Sequence, residues 1–221
     1  MLNKVRGGLI ISCQALEDEP LCSPFIMGRM AKAAEQAGAV GIRAQGVEDI
    51  IEIKSVTNLP VVGIIKRNYD DSQIYITATK FEVDELLKTK CEMIALDSTN
   101  RVRPNGEKLE DLIKYIKNSG VLVMADISNY EEALKAQELG VDCVSTTLSG
   151  YTDYTKKLDS PDFELIERLV KDLNIPVIAE GRINTPEDLK KVYDLGVYSA
   201  VVGSAITRPQ LIAKKFIDVI K

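Results

Sequence analysis

The 221-residue sequence contains no histidine and no tryptophan. Without imidazole there can be no histidine-based triad, no HExxH zinc site and no imidazole proton shuttle. Acid–base chemistry must then rely on Lys, Asp, Glu, Tyr, Cys or water. Aromatics are few, 8 Tyr and 4 Phe, so an aliphatic core is expected. No apolar run approaches the roughly 18–20 residues of a membrane span. The opening MLNKVRGGLIISCQ lacks a long apolar segment followed by a small-residue cleavage site, so no signal peptide is read and a cytoplasmic protein is expected. Cys13, Cys22, Cys91 and Cys143 form no CxxC pair, which predicts reduced thiols and no metal site. The 28 basic and 33 acidic residues are interspersed and sum to −5, arguing against a nucleic-acid or membrane partner.

What is present is a repeating junction. Helical stretches end in Gly38, Gly120, Gly140 and Gly196, and each runs directly into an apolar segment. Glycine supplies the left-handed residue just past a helix at no steric cost. Pro60 and Pro176 introduce two further strands, and Pro161, Pro186 and Pro209 mark first-turn helix positions. Strands are predicted near 8–14, 39–45, 60–67, 93–98, 121–127, 142–148, 176–180 and 199–204. They are short and almost continuously apolar, as strands covered on both faces should be. Amphipathic helices lie between them. Leu165, Ile166, Leu169, Val170 and Leu173 follow the helical period in one, and Ile212, Phe216, Val219 and Ile220 in the last.

Eight strand–helix units without a composition break predict an α/β protein: a single (β/α)8 TIM barrel over residues 1–221. The rival is an open doubly wound sheet, but neither GxGxxG nor GxxxxGK occurs. The longest irregular segments, 67–79 and 99–108, follow strands 3 and 4. Apolar side chains left exposed on the helices would support a homodimer.

In such a barrel chemistry gathers at the C-terminal strand ends. Those ends carry Gln14, Arg43 and Gln45, Lys66 and Arg67, Asp97, Asp126, Thr146 and Thr147, Glu180 to Arg182, and Gly203 with Ser204. Polar residues ending apolar strands are costly unless paired or used. AEGRI (179–183) and VVGSAI (201–206) place Gly181 and Gly203 where backbone N–H groups can close on an anion, with Arg182 and Arg208 nearby. A phosphorylated substrate is inferred.

Lys66 closes a strand with no other charge and shares the inward parity of Ile64, whereas Arg67 opens the following loop. Desolvation and the nearby Arg43 should lower its pKa and favour a neutral amine. Glu180 closes strand 7, four strands away. The pair would serve as two proton-transfer groups on opposite sides of a carbon acid, or Glu180 would reach across and ion-pair with Lys66. A decarboxylase using Lys66 with Asp70 and Asp71, another phosphosugar lyase, and a non-catalytic phosphosugar-binding barrel are the alternatives. Tyr69, Tyr151 and Tyr154 are read as loop residues away from the mouth.

The segments GGLIISCQA (7–15), GAVGIRAQG (38–46), LPVVGIIKR (59–67), ALDST (95–99), MADIS (124–128), STTLSGYT (145–152), IAEGRI (178–183) and AVVGSAITRP (200–209) span nearly the whole chain. Together they resemble the N-acetylmannosamine-6-phosphate 2-epimerase family of the ribulose-phosphate-binding barrel group. The resemblance implies inversion at C2 of the N-acetylmannosamine phosphate, without cofactor or metal, in sialic-acid breakdown. It implies Lys66 as the base at C2 and Glu180 as its acidic counterpart. Gln14, Arg43, Asp126 and Arg208 would contact the sugar, its N-acetyl group or the phosphate, with Asp97 and Thr147 as alternates. Gly181, Arg182, Gly203 and Ser204 would hold the phosphate.

Overall fold

Short apolar segments flanked by glycine-capped helices build the predicted eight strands. A computed structural model describes residues 1–220. Leu9–Cys13 (β1), Gly41–Gln45 (β2), Val61–Ile64 (β3), Met93–Asp97 (β4), Leu122–Asp126 (β5), Cys143–Ser145 (β6), Val177–Glu180 (β7) and Ser199–Val202 (β8) are all parallel and close into a barrel. Closure is made by β1 on β8, with Leu9 opposite Ala200 and Ile11 opposite Val202.

The helices are Leu2–Val5 (α1), Pro24–Gln36 (α2), Val47–Val56 (α3), Lys80–Lys88 (α4), Leu109–Asn118 (α5), Tyr130–Glu138 (α6), Phe163–Asp172 (α7), Pro186–Asp194 (α8), Ser204–Thr207 (α9) and Pro209–Asp218 (α10). Gly38, Gly120, Gly140 and Gly196 all take the left-handed conformation predicted for them, with φ between +78° and +93°. Pro186 and Pro209 open their helices as expected, but Pro161 does not. Helix α7 starts at Phe163, because the Asp162 carboxylate accepts the Leu165 N–H and takes the N-cap role.

Period-two alternation sorts each strand into two faces. Outward residues such as Ile11, Ile42, Ile94, Leu96, Val123 and Val144 pack under the helices. Inward residues Ile10, Val62, Ile64, Met93, Ala95, Met124, Cys143, Ile178 and Val201 fill the barrel, with Val5 of α1 joining them. The same inward parity then becomes polar toward the C-terminal strand ends, giving Ser12, Arg43, Asp97, Asp126, Ser145 and Glu180. This change from aliphatic to polar within one barrel interior marks the mouth.

Three irregular segments rise above it. Residues 65–79 and 98–108 correspond to the two predicted from sequence; the third, 146–162 after β6, was not singled out. The first and third meet over the mouth, where Gln73 Nε2 donates to Asp153 Oδ2 at 3.1 Å. The Tyr69 and Tyr154 phenols anchor the same two segments from the side by donating to the buried carboxylates of Glu82 and Glu132, each at 2.6 Å. Helix α10 has the expected apolar face, yet no residue of it is buried, and Phe216, Val219 and Ile220 stand in solvent.

Candidate active site

A cavity of about 1290 Å³ occupies the barrel mouth. Of the ten residues singled out from sequence, nine line it: Gln14, Arg43, Lys66, Glu180, Gly181, Arg182, Gly203, Ser204 and Arg208. The tenth, Asp126, does not. Its carboxylate is fully buried beneath Arg43, whose Nη2 and Nη1 donate to Oδ2 and Oδ1 at 2.6 and 3.1 Å. A short side chain at the end of β5 is covered by the longer one reaching over it from β2. Asp126 therefore orients Arg43, and its carboxylate is not among the groups lining the cavity.

Arg43 also lies 3.2 Å from Glu180 Oε2, so one guanidinium serves two carboxylates. Burial alone would lower its pKa, but Asp126 and Glu180 outweigh that and hold it charged. Burial pushes the Glu180 carboxyl above the ordinary range; Arg43 opposes this and the neighbouring Asp126 charge adds to it. Thr147 Oγ1 lies 2.8 Å from Asp126 Oδ1 and 3.1 Å from Glu180 Oε2, and its residue lines the cavity. Thr147 thus lines the cavity, whereas Asp97 is enclosed elsewhere.

Lys66 follows β3 with the inward parity of Val62 and Ile64, and its backbone pairs with Ile76 of the returning segment. Its N–H donates to Gln45 Oε1 at 3.0 Å, which fixes the backbone as the chain leaves the barrel wall. Among the described residues Nζ makes no hydrogen bond and no ion pair within 4.0 Å, so Glu180 does not reach across to it. Burial, followed by the Arg43 and Arg208 cations, pushes its pKa down from 10.5 to about 8. Arg67 is turned away onto Glu82 and Glu85.

The other end of the cavity suits an anion. Gly203 and Ser204 start α9, whose first N–H groups have no partner within the helix. A Cβ at Gly203 would meet Ser12 Cβ at 3.2 Å, and Gly181 has φ +106°, so both positions favour glycine. Arg208 donates to Ser204 Oγ at 3.0 Å and pairs with Glu19 at 2.7 Å. Arg182 departs from expectation. With φ +54° it swings across to the 146–162 segment, where Nη1 and Nη2 donate to the Ser149 and Gly150 carbonyls at 2.6 and 3.2 Å. Its guanidinium is bound to that loop at the edge of the cavity.

A family model described as "Putative N-acetylmannosamine-6-phosphate epimerase" (NanE) matches residues 27–221. The chain belongs to the NanE family. A relative from Clostridioides difficile, named an N-acetylmannosamine-6-phosphate 2-epimerase, is 78% identical across 100% of this chain and 99% of its own length. A solved structure described as the N-acetylmannosamine-6-phosphate 2-epimerase from Clostridium perfringens superposes with a TM-score of 0.98. It is 68% identical, covering 99% of this chain and 96% of that one. A thiamine phosphate pyrophosphorylase from Pyrococcus furiosus, 19% identical with a TM-score of 0.62 over 93% of this chain and 89% of its own, shares the fold alone.

For this NanE chain, sequence reasoning missed some of the lining. Ser12 could have been found, since it shares the inward parity of Gln14, and Gln45, named as a strand end, lines the cavity as well. Tyr75 comes from the irregular 65–79 segment, where no periodicity signals direction. Tyr151 was placed away from the mouth but lines it, its ring 4.1 Å from the Arg182 guanidinium carbon. Tyr69 and Tyr154 are loop residues as expected.

Proposed function

We propose that this NanE chain interconverts N-acetyl-D-mannosamine 6-phosphate and N-acetyl-D-glucosamine 6-phosphate by proton transfer at C2. It uses no metal or other cofactor and serves sialic-acid and amino-sugar breakdown in the cytoplasm. The observation that carries the reading is the unpaired Lys66 amine, its pKa lowered to about 8, across one cavity from the largely buried Glu180 carboxyl.

The C2 proton is acidic only in the open-chain aldehyde, where C1 is a carbonyl. Neutral Lys66 takes that proton from one face. The C–H electron pair forms the C1–C2 double bond and negative charge moves to O1. Gln14, which lines the cavity and spends one Nε2 hydrogen on Ser12 Oγ at 2.8 Å, has a second to donate to the enolate or amide oxygen. Glu180, whose pKa burial raises, delivers a proton to the opposite face of C2 and so inverts it. The first turn of α9, with Gly203 and Ser204 and the nearby Arg208, holds the phosphate and keeps C2 between the two groups. Arg182 acts in this reading as the clamp on the 146–162 segment.

Proton NMR of the protein with N-acetylglucosamine 6-phosphate in D2O, without added metal or nucleotide, tests the reaction. The manno epimer should form with deuterium at C2. An epimer without deuterium would replace the two-group transfer with return of a shielded proton by a single base. Loss of substrate carbon would point to a lyase or decarboxylase, and a folded, phosphosugar-binding but inert protein would overturn the reading.

We further propose that α10 and the residues just past its end pair two copies of the chain through exposed Phe216, Val219 and Ile220.

A further inference from the structure

Arg208 stands at the junction of α9 and α10 and reaches the cavity with its guanidinium already held. Its Nε lies 2.7 Å from Glu19 Oε1, and its Nη2 donates to Oε2 at 2.9 Å, a two-point contact along one edge of the fork. Nη1 donates to Ser204 Oγ at 3.0 Å, which leaves two of the five N–H groups for a ligand. Glu19 is itself fixed from two sides. The Leu16 N–H donates to Oε2 at 2.8 Å and Gln210 Nε2 donates to Oε1 at 3.1 Å. Two backbone bonds, from the Glu19 N–H to the Leu16 carbonyl at 2.9 Å and from the Cys22 N–H to the Glu19 carbonyl at 3.1 Å, fold residues 16–22 into consecutive turns. That segment joins β1 to α2. Its Leu16, Glu17 and Cys22 line the cavity, whereas Glu19 does not, so Glu19 holds Arg208 from behind.

We infer that Glu19 is a positioning residue that fixes Arg208 in the orientation in which it meets the substrate. This rests on the reading of Arg208 as a substrate-holding residue. A free arginine side chain samples many rotamers and must be ordered as the ligand binds, whereas Glu19 orders it beforehand. The edge that pairs with Glu19 and the N–H groups left for the ligand are different, so Arg208 takes up an anion without releasing its partner. Leu16 and Arg208 share the Oε2 oxygen of Glu19. The part of the cavity wall that follows β1 and the part that follows β8 therefore meet at one carboxylate, and the same contact that aims Arg208 holds the 16–22 turns in place.

The test is a double-mutant cycle of Glu19→Gln and Arg208→Ala, read both as kcat/KM and as calorimetric affinity for N-acetylglucosamine 6-phosphate. Glu19→Gln keeps an acceptor for the Leu16 N–H but removes the charge that holds the guanidinium. Alone it should lower kcat/KM about tenfold, mainly through KM, with affinity falling in step. In the Arg208→Ala background the same substitution should change either quantity by less than about twofold. Equal losses in both backgrounds would overturn the inference, because Glu19 would then act on the fold and not through Arg208. Unchanged or tighter binding in Glu19→Gln alone would overturn it too, the latter by making Glu19 a competitor for Arg208. Glu19→Asp keeps the charge but draws it back from the guanidinium, should lose affinity in the same direction, and replaces Glu19→Gln in the cycle if that variant does not fold. An Arg208→Ala variant that binds as wild type would reject the reading of Arg208, and the inference with it. The calorimetric arm stands even if wild type fails to epimerise, an outcome that would reject the proposed function alone.

Discussion

Asp97 and Asp126 face each other as register partners at the ends of β4 and β5, both fully buried and both inward, yet they do different things. Asp97 is paired locally. Arg101, four residues on, donates to Oδ2 at 2.5 Å, and Thr99 covers Oδ1 through its N–H and hydroxyl. Arg103 closes the cluster from above by donating to the Asp97 and Ala78 carbonyls. Asp126 is paired across the barrel, with an arginine three strands away that also holds Glu180. The local cluster consumes its charges within one loop and fixes the 98–108 segment. The transverse one spreads a single cation over two carboxylates, leaving the Glu180 carboxyl at the cavity. Sequence distance between partners separates scaffold from chemistry here, although burial and residue type are the same.

The widest separation between the two clusters should appear in turnover. Lys66→Met and Glu180→Gln are each expected to reduce kcat by about a thousandfold or more while phosphosugar binding, read by calorimetry, persists. Near-normal turnover in either would remove that residue from the chemistry.

A sharper comparison comes from the register partners. Asp97→Ala should cost about 3–5 kcal/mol of stability in urea unfolding, since Arg101 loses its ion-pair partner and the buried Arg103 loses the nearby negative charge. The fraction that remains folded should turn over normally. Asp126→Asn should instead lower kcat by about tenfold or more, because Arg43 loses its anchor and Glu180 its position. Equal effects of the two substitutions on kcat would erase the distinction.

The smallest effect concerns stability alone. In the folded state Lys66 titrates at about 8, against 10.5 for an unperturbed lysine. Between those values the unfolded chain binds more protons than the folded one, so this group's contribution to stability rises with pH across the window and is least favourable below pH 8. Lys66→Met should therefore raise Tm at pH 7 by about 3–6 °C, and the gain should shrink as pH approaches 10.5. A gain independent of pH would assign it to packing.

The barrel was legible because its signals are local and repeated. Left-handed glycines after helices and unbroken apolar runs each identify an element without reference to its neighbours. Lys66, Arg43 and Glu180 were legible for a related reason, since inward parity carries past the apolar layer into the polar one. What parity does not convey is reach. Asp126 and Arg43 both point inward, but only the difference in side-chain length puts one beneath the other. The turn of Arg182 onto the 146–162 segment was not legible because nothing in AEGRI announces a left-handed arginine after a left-handed glycine. Tyr151 belongs to a long segment without periodicity, and its direction is set by stacking on that same arginine.

The pairing of Leu9 with Ala200 has a consequence for the growing polypeptide. On a ribosome, β1 emerges with one edge that has no mate until nearly the whole chain has been made. The last strand to leave the tunnel both seals that edge and brings Gly203, Ser204 and Arg208 with it. Ordering so distant a contact is entropically costly and is rewarded only at the end of synthesis. An incomplete chain thus lacks one wall of the cavity together with the seam that would let it fold.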